Sequence, residues 1–382
     1  MFWTETRKQF KIVHSLKSDY CYYMMIVYLQ IVYENTITKI ILLVDRTRFV
    51  VVTAAAVGTG TAIFFIWRWW SRRQKFGPPS KWRKVGELSD LICFPVKSLG
   101  PVRLNTMECT ILGLRSGWIR DRTLMVIDLD GQFVTGRQFP RMVQILPSIA
   151  GPVLTLKAPG MMAVSVDLSR LGKRLRAAVW GQTVPACDCG EEVARWLSRF
   201  ILQEDSGLRL VYYPLDRPSK SMHPKNNPFP LVETRDTGAY PDATSYVLEN
   251  EASIADLNMR LEQPVTPLNF RPNFVVKGPE AFEEDTWEWL KIGNVIFRNI
   301  RPCTRCIFTT IDPENGTKDP KFEPLKTLRK YREIKDPEVR KHTLGSPVMG
   351  IHLGLRSKGG LVNLGDPVFV GENDELPLKT PP

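Results

Sequence analysis

The stretch TLMVIDLDGQFVTG, residues 123–136, contains two extended runs that meet at Asp130-Gly131. An Asp-Gly pair favours a tight hairpin because both residues tolerate the positive φ angles that such a turn requires. The stretch VLTLKAPGMMAVSVDL, residues 153–168, repeats this pattern around Pro159-Gly160. Short strands of this kind dominate the chain from residue 84 onward and predict a barrel-like α+β body.

Three segments carry apolar residues at helical spacing. EEVARWLSRFIL (191–202) has one apolar face and begins with two glutamates, which favour the positive end of the helix dipole. EASIADLNMRLE (251–262) follows Asn250, a residue preferred at the N-cap. PLKTLRKYR (324–332) opens with Pro324, which is well tolerated at the first helical position. We expect a short helix in each segment.

The composition narrows the class of protein. The chain has 382 residues, of which 43% are apolar and 24% charged, so most of it should fold around a buried core. Its formal net charge is +12, but the positive residues are scattered and form no single stripe, which disfavours a nucleic-acid-binding protein. Seven cysteines, an odd number in mostly apolar surroundings, suggest no disulfide framework and favour a reducing compartment.

Residues 49–67, FVVVTAAAVGTGTAIFFIW, contain no charged residue. About 20 apolar residues span a bilayer as a helix, so we interpret this stretch as a membrane anchor. Arginines and tryptophans follow it directly, and this positive flank predicts that the remaining chain faces the cytosol, although Arg46 and Arg48 on the other side weaken the bias.

These patterns divide the chain into six expected parts. They are a leader of unknown role (1–48), a transmembrane anchor (49–70), a linker (71–83), an N-terminal β-rich domain (84–217), a second domain (218–372) and a flexible tail (373–382).

The stretch RPCTRCIFTT, residues 301–310, places Cys303 and Cys306 three positions apart. A zinc site needs a second pair of ligands, and the spacing of Cys187 and Cys189 is too tight to provide it. A redox dithiol should open a helix after a strand, whereas Cys306 runs into residues that favour an extended strand. Two readings therefore remain: the cysteines fill the core, or one thiolate holds a metal.

Several basic stretches favour the metal reading. Arginines flank the cysteine pair, and nearby positive charge favours a thiolate. If the fold gathers the other basic residues into one cavity, they would suit an anionic phosphorylated ligand, and thiolate softness would favour a sulfur-loving metal beside it. The residues concerned are Arg301 and Arg305 beside the cysteines, Lys97 and Ser98 in FPVKS, Arg120 and Arg122 in IRDR, and Arg271 and Asn273 in NFRPN.

Six ordered motifs between residues 84 and 372 resemble a known family. They are FPVKS (94–98), GLRSGWIRDR (113–122), TGRQFPRM (135–142), NFRPN (269–273), RPCTRCIFTTIDPENG (301–316) and NLGDPVFV (363–370). Together with the apolar segment they resemble the mitochondrial amidoxime-reducing components, membrane-anchored MOSC proteins that carry a molybdenum cofactor. The resemblance implies an α+β fold with a mainly-β MOSC barrel, an N-terminal β-rich MOSC-N domain and an N-terminal transmembrane helix.

The same resemblance implies a molybdenum-molybdopterin cofactor whose metal ligand is Cys306. It assigns cofactor contacts to Lys97, Ser98, Arg122, Thr244, Ser245, Arg271, Asn273, Thr304, Arg305 and His352. At position 352 the relatives carry a tyrosine, so the histidine is a departure whose role lies in substrate access or in packing. The loop after Ser98 is also shorter than in the relatives.

The implied activity is reduction of N-hydroxylated compounds such as amidoximes and hydroxylamines, with electrons from NADH through cytochrome b5 reductase and cytochrome b5. The implied location is the outer mitochondrial membrane, with a single-pass N-terminal anchor and the catalytic body in the cytosol. The glycines at 58–62 lie inside the apolar segment and form no NAD fingerprint, so electrons should arrive from a docked protein. A cofactor carrier or sulfur-transfer module without turnover is the alternative, and a membrane scaffold with core cysteines is another.

Overall fold

The computed structural model describes residues 27–34, 77–221, 226 and 228–372. Residues 27–34 are helical. Within the described ranges, no helix is both long enough and apolar enough to cross a bilayer. The expected anchor (49–70) and tail (373–382) lie outside the described residues. Residues from 78 onward form one compact unit, which contains all the elements discussed below.

The unit is built mainly from short strands. They are β1 Trp82–Cys93, β2 Val102–Arg103, β3 Thr106–Thr110, β4 Gly113–Ser116, β5 Ile119–Arg120, β6 Leu124–Asp128, β7 Leu146–Ala150, β8 Val153–Lys157, β9 Val164–Asp167, β10 Arg174–Val179, β11 Gln182–Asp188, β12 Leu208–Tyr212, β13 Tyr246–Asn250, β14 Phe274–Lys277, β15 Trp289–Ile292, β16 Val295–Thr304, β17 Val348–Leu355, β18 Gly360–Asn363 and β19 Pro367–Gly371. The α-helices are Glu191–Leu202, Glu251–Asn258, Pro267–Phe270, Leu325–Tyr331 and Pro337–Thr343. Short 3-10 turns cover Pro140–Gln144, Thr234–Asp236, Glu283–Thr286 and Ile307–Thr310.

Seven strands close into a barrel in the order β14-β13-β17-β16-β15-β19-β1, because β1 also pairs with β14. Only the β13–β14 pair in this ring is parallel. The barrel interior is filled by aromatic and aliphatic side chains, among them Tyr246, Phe274 and Phe297, whose rings lie 5.3 to 5.7 Å apart. Closure leaves no free strand edge in this ring, so its backbone groups are paired all the way round.

The barrel takes its first strand from the beginning of the body. β1 pairs with β19 from Trp82↔Gly371 to Glu87↔Pro367, and with β14 from Glu87↔Lys277 to Leu91↔Phe274. Residues 82–93 thus complete a barrel whose other six strands all follow residue 245. The barrel therefore draws on both of the domains expected from the sequence.

Apart from β2, which pairs with β1, the remaining N-terminal strands form smaller sheets. β10-β11-β12-β6 make one sheet of four strands and β7-β8-β9 another of three, while β18 joins β3-β4-β5. The helix Glu191–Leu202 packs against these strands through Trp196 and Leu197, which share a core with Leu154 of β8. The turn between β10 and β11 carries Trp180, which lines the cavity described below.

The expected hairpins are confirmed. After β6, Asp128 N donates to Gln132 O at 2.9 Å, and Gly131 takes a φ of 79° in the turn. β8 and β9 pair around the turn that holds Gly160, whose φ is 71°. Both turns place glycine in the left-handed region, as the sequence pattern requires.

All three expected helices form. The first has the predicted bounds, and Asn250 caps the second by accepting a hydrogen bond from Ala252 N at 3.1 Å. Pro324 occupies the N-cap of the third helix and not its first turn. Each helix is confirmed; the second ends four residues earlier than predicted, and the third is one residue shorter at each end.

The expectation that the chain continues as a strand after Cys306 is wrong. Ile307–Thr310 forms a 3-10 turn with Cys306 at its N-cap. The hydroxyl of Thr309 donates to Cys306 O at 3.0 Å, and that of Thr310 donates to Ile307 O at 2.8 Å. Threonine side chains compete in this way with the strand ladder for backbone partners, which overrides their β propensity here.

Candidate active site

A cavity of about 290 Å³ lies beside the end of β16. It is open to solvent and mixes charged, polar and aromatic side chains, as ligand sites do. The lining residues come from several elements: Lys97 and Ser98 from the loop after β1, Arg122 from the loop before β6, Arg271 after the Pro267–Phe270 helix, Thr304 from the end of β16, Cys306 from the N-cap of the following 3-10 turn, and His352 from β17. The sequence motifs far apart in the chain thus meet in one cavity.

Cys306 is exposed to this cavity and carries no disulfide. Arg137 Nη1 lies 3.7 Å from its sulfur and 3.0 Å from Asp242 Oδ2. Cys303, in contrast, is only 4% exposed, and burial raises the pKa of its thiol. Of the two cysteines, Cys306 is therefore the one that faces a ligand beside a positive charge.

Asp242 organises the cavity on the Cys306 side. It forms ion pairs with Lys97 and Arg137 and accepts a hydrogen bond from Trp180 Nε1 at 3.0 Å. Burial opposes ionisation, but the charges of Lys97 and Arg137 hold the pKa of Asp242 well below its ordinary value. Asp242 is thus a carboxylate fixed between two cations.

Sequence reasoning did not assign a role to Asp242 or to Arg137. Arg137 belongs to the quoted TGRQFPRM motif, and Asp242 lies two positions before Thr244. An aspartate directly before an assigned loop was the available signal for the carboxylate, but its two cationic partners come from distant segments.

Arg305 reaches the cavity lining, yet its guanidinium points into the protein. It forms an ion pair with Glu249 and donates to Phe270 O at 2.8 Å and to Met349 O at 2.9 Å. The guanidinium thus uses its donors within the protein, where they hold the loop that carries Cys306 in place. The positive charge expected from Arg305 beside the thiol is supplied by Arg137 instead.

Arg122 and Arg271 form a second basic group in the cavity. Arg122 pairs with Asp121 at 2.6 Å and donates to Arg271 O at 2.9 Å. Arg271 lies 4.0 Å from the centre of the Phe94 ring and donates through Nη1 to Leu99 O, while its buried Nη2 has no hydrogen-bond partner in the part of the chain that the structure describes. Burial, and then the charge of Arg122, lower the pKa of Arg271 to about 9. An anion would relieve both the charge and the unpaired donor.

The backbone is strained where it borders the cavity. Ser98, Arg122, Trp180 and Arg271 have φ angles of 69°, 48°, 52° and 56°, in a region that residues other than glycine seldom adopt. All four line the cavity. Strain of this kind costs on the order of 1–3 kcal/mol per residue and clusters at functional sites.

Two of the expected cofactor contacts lie outside the cavity lining. Asn273 donates to Ile92 O and Asp121 Oδ1 and accepts from Val247 N, and Ser245 donates to Ile111 O at 3.1 Å. Asn273 and Ser245 thus hydrogen-bond to neighbouring segments outside the cavity lining, and their contact with a cofactor stays a prediction.

His352 and Thr244 meet inside the cavity. The Thr244 hydroxyl lies 2.7 Å from His352 Nδ1. Burial, followed by the charges of Arg301 and Arg305, holds the pKa of His352 well below its ordinary value. The imidazole is therefore neutral at physiological pH, a polar wall without charge.

The site as a whole offers one exposed thiol and several cations. Among the described residues, no group of three or more His, Cys, Asp or Glu side chains is arranged to hold a metal ion. A metal that uses Cys306 as its single protein ligand must bring its other ligands with it, and the unpaired Arg271 donor fits an anionic end of the same molecule. The residues present fit a metal cofactor with an acidic tail.

Comparison with known proteins places the chain in a defined class. Residues 85–204 match the MOSC N-terminal beta barrel domain, and residues 236–369 match the MOSC domain. The chain is thus a two-part MOSC protein.

Curated relatives define the family within this class. The chain is 41% identical over 300 residues to mitochondrial amidoxime reducing component 2 of Bos taurus, covering 78% of this chain and 87% of that protein. It is 37% identical to mitochondrial amidoxime-reducing component 1 of Xenopus laevis, covering 82% and 90%, and 37% identical to component 1 of Homo sapiens, covering 83% and 90%. The chain belongs to the family of mitochondrial amidoxime-reducing components.

Proposed function

We propose that this protein is a molybdenum-cofactor-dependent reductase of N-hydroxylated compounds such as amidoximes and hydroxylamines. The single observation that carries the proposal is that the exposed Cys306 thiol lines the same cavity as Arg271, one of whose buried guanidinium donors has no hydrogen-bond partner among the described residues. The names of the curated relatives, amidoxime-reducing components, support the reaction class.

Different cavity residues would contact different parts of the cofactor. Cys306 would ligate the molybdenum, and Arg122, Arg271 and Ser98 would hold the phosphate end of molybdopterin. Thr304, Thr244 and His352 would line its ring system, while Arg305, Asn273 and Ser245 keep the surrounding loops in place through their internal hydrogen bonds. When bound, the cofactor supplies the two-electron redox chemistry.

The chain's own residues would orient the substrate. Asp242, kept ionised by Lys97 and Arg137, accepts hydrogen bonds from the N–H groups of an amidoxime. Trp180, 5.0 Å from the Arg137 guanidinium, provides an apolar face for the rest of the substrate. The neutral His352 adds a polar contact without repelling a cationic product.

The proposed partners and location are those that the resemblance to the family implies. We propose cytochrome b5 and NADH-cytochrome b5 reductase as electron donors, because the protein carries no NAD fingerprint of its own. We also propose the outer mitochondrial membrane as its location, with residues 49–70 as a single-pass anchor and the body in the cytosol; the names of the relatives support the mitochondrion.

The proposal is tested in two stages. First, the purified protein is analysed for molybdenum and pterin, and we expect near-stoichiometric amounts of both. Second, NADH-dependent reduction of benzamidoxime is measured after reconstitution with the two electron-transfer proteins. Cofactor without turnover would favour the alternative, a cofactor carrier or sulfur-transfer module, and absence of both molybdenum and pterin would leave a scaffold.

A further inference from the structure

The cations around the cavity differ in their partners. Four have a carboxylate within ion-pair distance, and two have none among the described residues. The paired ones are Lys97 and Arg137 with Asp242, Arg122 with Asp121, and Arg305 with Glu249, and the unpaired ones are Arg271 and Arg301. An unpaired buried charge is costly, so each of these two arginines calls for an anion from outside the chain.

Arg301 is held rigidly by neutral groups. It is 6% exposed, donates to Asn226 Oδ1 and to Thr304 Oγ1, and lies 4.4 Å from the centre of the Phe229 ring. Burial lowers the pKa of Arg301 to about 10, which still leaves it charged at physiological pH. Its orientation is fixed, but its charge is not neutralised.

Asn226 provides a second donor beside this charge. Its side-chain oxygen is used by Arg301, while its buried Nδ2 has no hydrogen-bond partner among the described residues. Both residues line the cavity. A charged donor and an unsatisfied amide donor side by side are the chemistry that binds a carboxylate or phosphate.

The two unpaired arginines occupy different niches. Arg271 packs against Phe94 and Phe308 next to Arg122. Arg301, which lies on β16 and pairs with His352 of β17, packs against Phe229. Molybdopterin carries a single phosphate, which satisfies one niche. The second niche needs a different anion, and the remaining molecule in the cavity is the substrate.

We propose that Arg301 and Asn226 form an anion subsite that selects N-hydroxylated substrates bearing a carboxylate. This inference rests on the proposed function, since it concerns the substrate of the same cavity. It predicts that the protein discriminates between a neutral amidoxime and its acidic analogue through Arg301.

The kinetic test compares benzamidoxime with 4-carboxybenzamidoxime in the reconstituted holoenzyme. Loss of one charge-assisted hydrogen-bonded pair corresponds to about tenfold in affinity, so Arg301→Met should raise KM for the acid roughly 10-fold and leave the neutral substrate within about 2-fold. Arg301→Lys should restore part of the difference because it keeps the charge. Arg329→Met, an exposed arginine on the Leu325–Tyr331 helix, is the matched control and should change neither substrate.

A binding test separates this inference from the proposed function. Isothermal titration of the purified protein with 4-amidinobenzoate and with benzamidine requires no turnover. The wild type should bind the acid more tightly, and both Arg301→Met and Asn226→Ala should abolish that preference. If the preference exists while amidoxime reduction is absent, the subsite stands and the proposed reaction fails.

Three results would overturn the subsite. One is a wild type that binds 4-amidinobenzoate no better than benzamidine. Another is an Arg301→Met protein that loses molybdenum and pterin, which would make Arg301 a cofactor contact. The third is an equal loss for the neutral and the acidic substrate in Arg301→Met and Asn226→Ala.

Discussion

At the scale of single residues, the two cysteines of the pair differ by their surroundings and not by their chemistry. Cys306 is exposed beside Arg137, whereas Cys303 is buried beneath it in β16. A serine hydroxyl is a poor ligand for a thiolate-preferring metal, so Cys306→Ser should lower molybdenum content to below about a tenth and turnover by ~100-fold or more. Molybdenum analysis and benzamidoxime reduction measure both effects.

Cys303→Ser is the matched control for that variant. Because Cys303 fills the core, its replacement should cost stability of about 1–2 kcal/mol without removing the metal. Full molybdenum content in Cys306→Ser, or loss of metal only in Cys303→Ser, would reverse the ligand assignment.

Lys220 gives the protein a predictable pH dependence of stability. Its amine is buried and donates to Pro241 O at 2.6 Å, directly before Asp242. Burial, reinforced by the charge of Lys97, lowers the pKa of Lys220 to about 7. The unfolded chain keeps this proton to about pH 10, so between about pH 7 and 10 it binds more protons than the folded protein. The free energy of unfolding should therefore rise with pH across that window.

Urea denaturation at pH 7.0 and 9.5 measures this effect. The wild type should gain on the order of 3 kcal/mol from Lys220 between the two pH values, and Lys220→Met should lose that gain. Lys326→Met, on an exposed helix face, is the control and should keep it. An unchanged pH dependence in Lys220→Met would contradict the buried amine.

The residues of the candidate site were only partly predictable from sequence. Chain motifs pointed to Lys97, Arg122, Arg271 and the cysteine pair, because basic and thiol side chains stand out in short apolar runs, whereas the choice of Cys306 within the pair came from the resemblance to the family. Asp242 did not stand out, since its role exists only once Lys97 and Arg137 arrive from other segments. The internal hydrogen bonds that direct the Arg305 guanidinium away from the cavity likewise form only in the folded chain, so the sequence did not reveal them.

At the scale of elements, Asn250 links a strand, a helix and a buried carboxyl group. Its oxygen caps the helix Glu251–Asn258, and its amide donates to Glu280 O and Glu284 Oε2. Asn250→Ala removes a cap worth ~1 kcal/mol and two further hydrogen bonds worth ~1–2 kcal/mol together, although Glu280 O keeps Glu283 N and Glu284 Oε2 keeps Ser253 Oγ as donors. We expect a loss of about 2–3 kcal/mol in the free energy of unfolding, measured by urea denaturation.

The control for this prediction is Asp336, which caps the exposed helix Pro337–Thr343 by accepting from Glu338 N at 2.9 Å. Asp336→Ala loses only a cap and should cost about 1 kcal/mol. Equal costs for Asn250→Ala and Asp336→Ala would mean that the buried network around Glu284 adds nothing.

Turns and caps that depend only on neighbouring residues were predictable from the sequence. The hairpins around Gly131 and Gly160 and the cap at Asn250 depend on residues within a few positions of each other. The turn after Cys306 was not predictable in this way. Its β-branched residues indicated a strand, but the hydroxyls of Thr309 and Thr310 donate to preceding backbone carbonyls instead. Which of the two effects wins depends on where β16 ends, and that is fixed by its pairing with β17.

At the scale of the whole molecule, barrel closure could not be foreseen from local patterns. β1 lies among N-terminal strands in sequence, yet it pairs with β14 and β19 near the end of the chain. Alternating patterns show that a segment is a strand, but they do not identify its partner. The two MOSC domain matches cover consecutive segments, 85–204 and 236–369, whereas the barrel takes β1 from the first segment and its other strands from the second.

This crossing predicts which fragments of the body can fold. Removing residues 78–93 deletes β1, opens the edges of β14 and β19, and exposes the core that Leu88 and Leu91 help to fill. Two leucines of this kind contribute several kcal/mol, at ~2–5 kcal/mol each on truncation, and open edges promote aggregation. A fragment of residues 78–372 should therefore melt cooperatively, whereas 94–372 should not. Circular dichroism melts and size-exclusion chromatography distinguish the two.

The missing strand can also be supplied from outside. A peptide of residues 78–93 should pair with β14 and β19 of the 94–372 fragment and restore a cooperative melt, because its backbone donors and side chains fit the open edges. A peptide of the same composition in scrambled order removes the alternation that places Leu88 and Leu91 inside, so it should not restore folding. A 94–372 fragment that melts cooperatively at the temperature of 78–372 without any peptide would show that the barrel does not depend on β1.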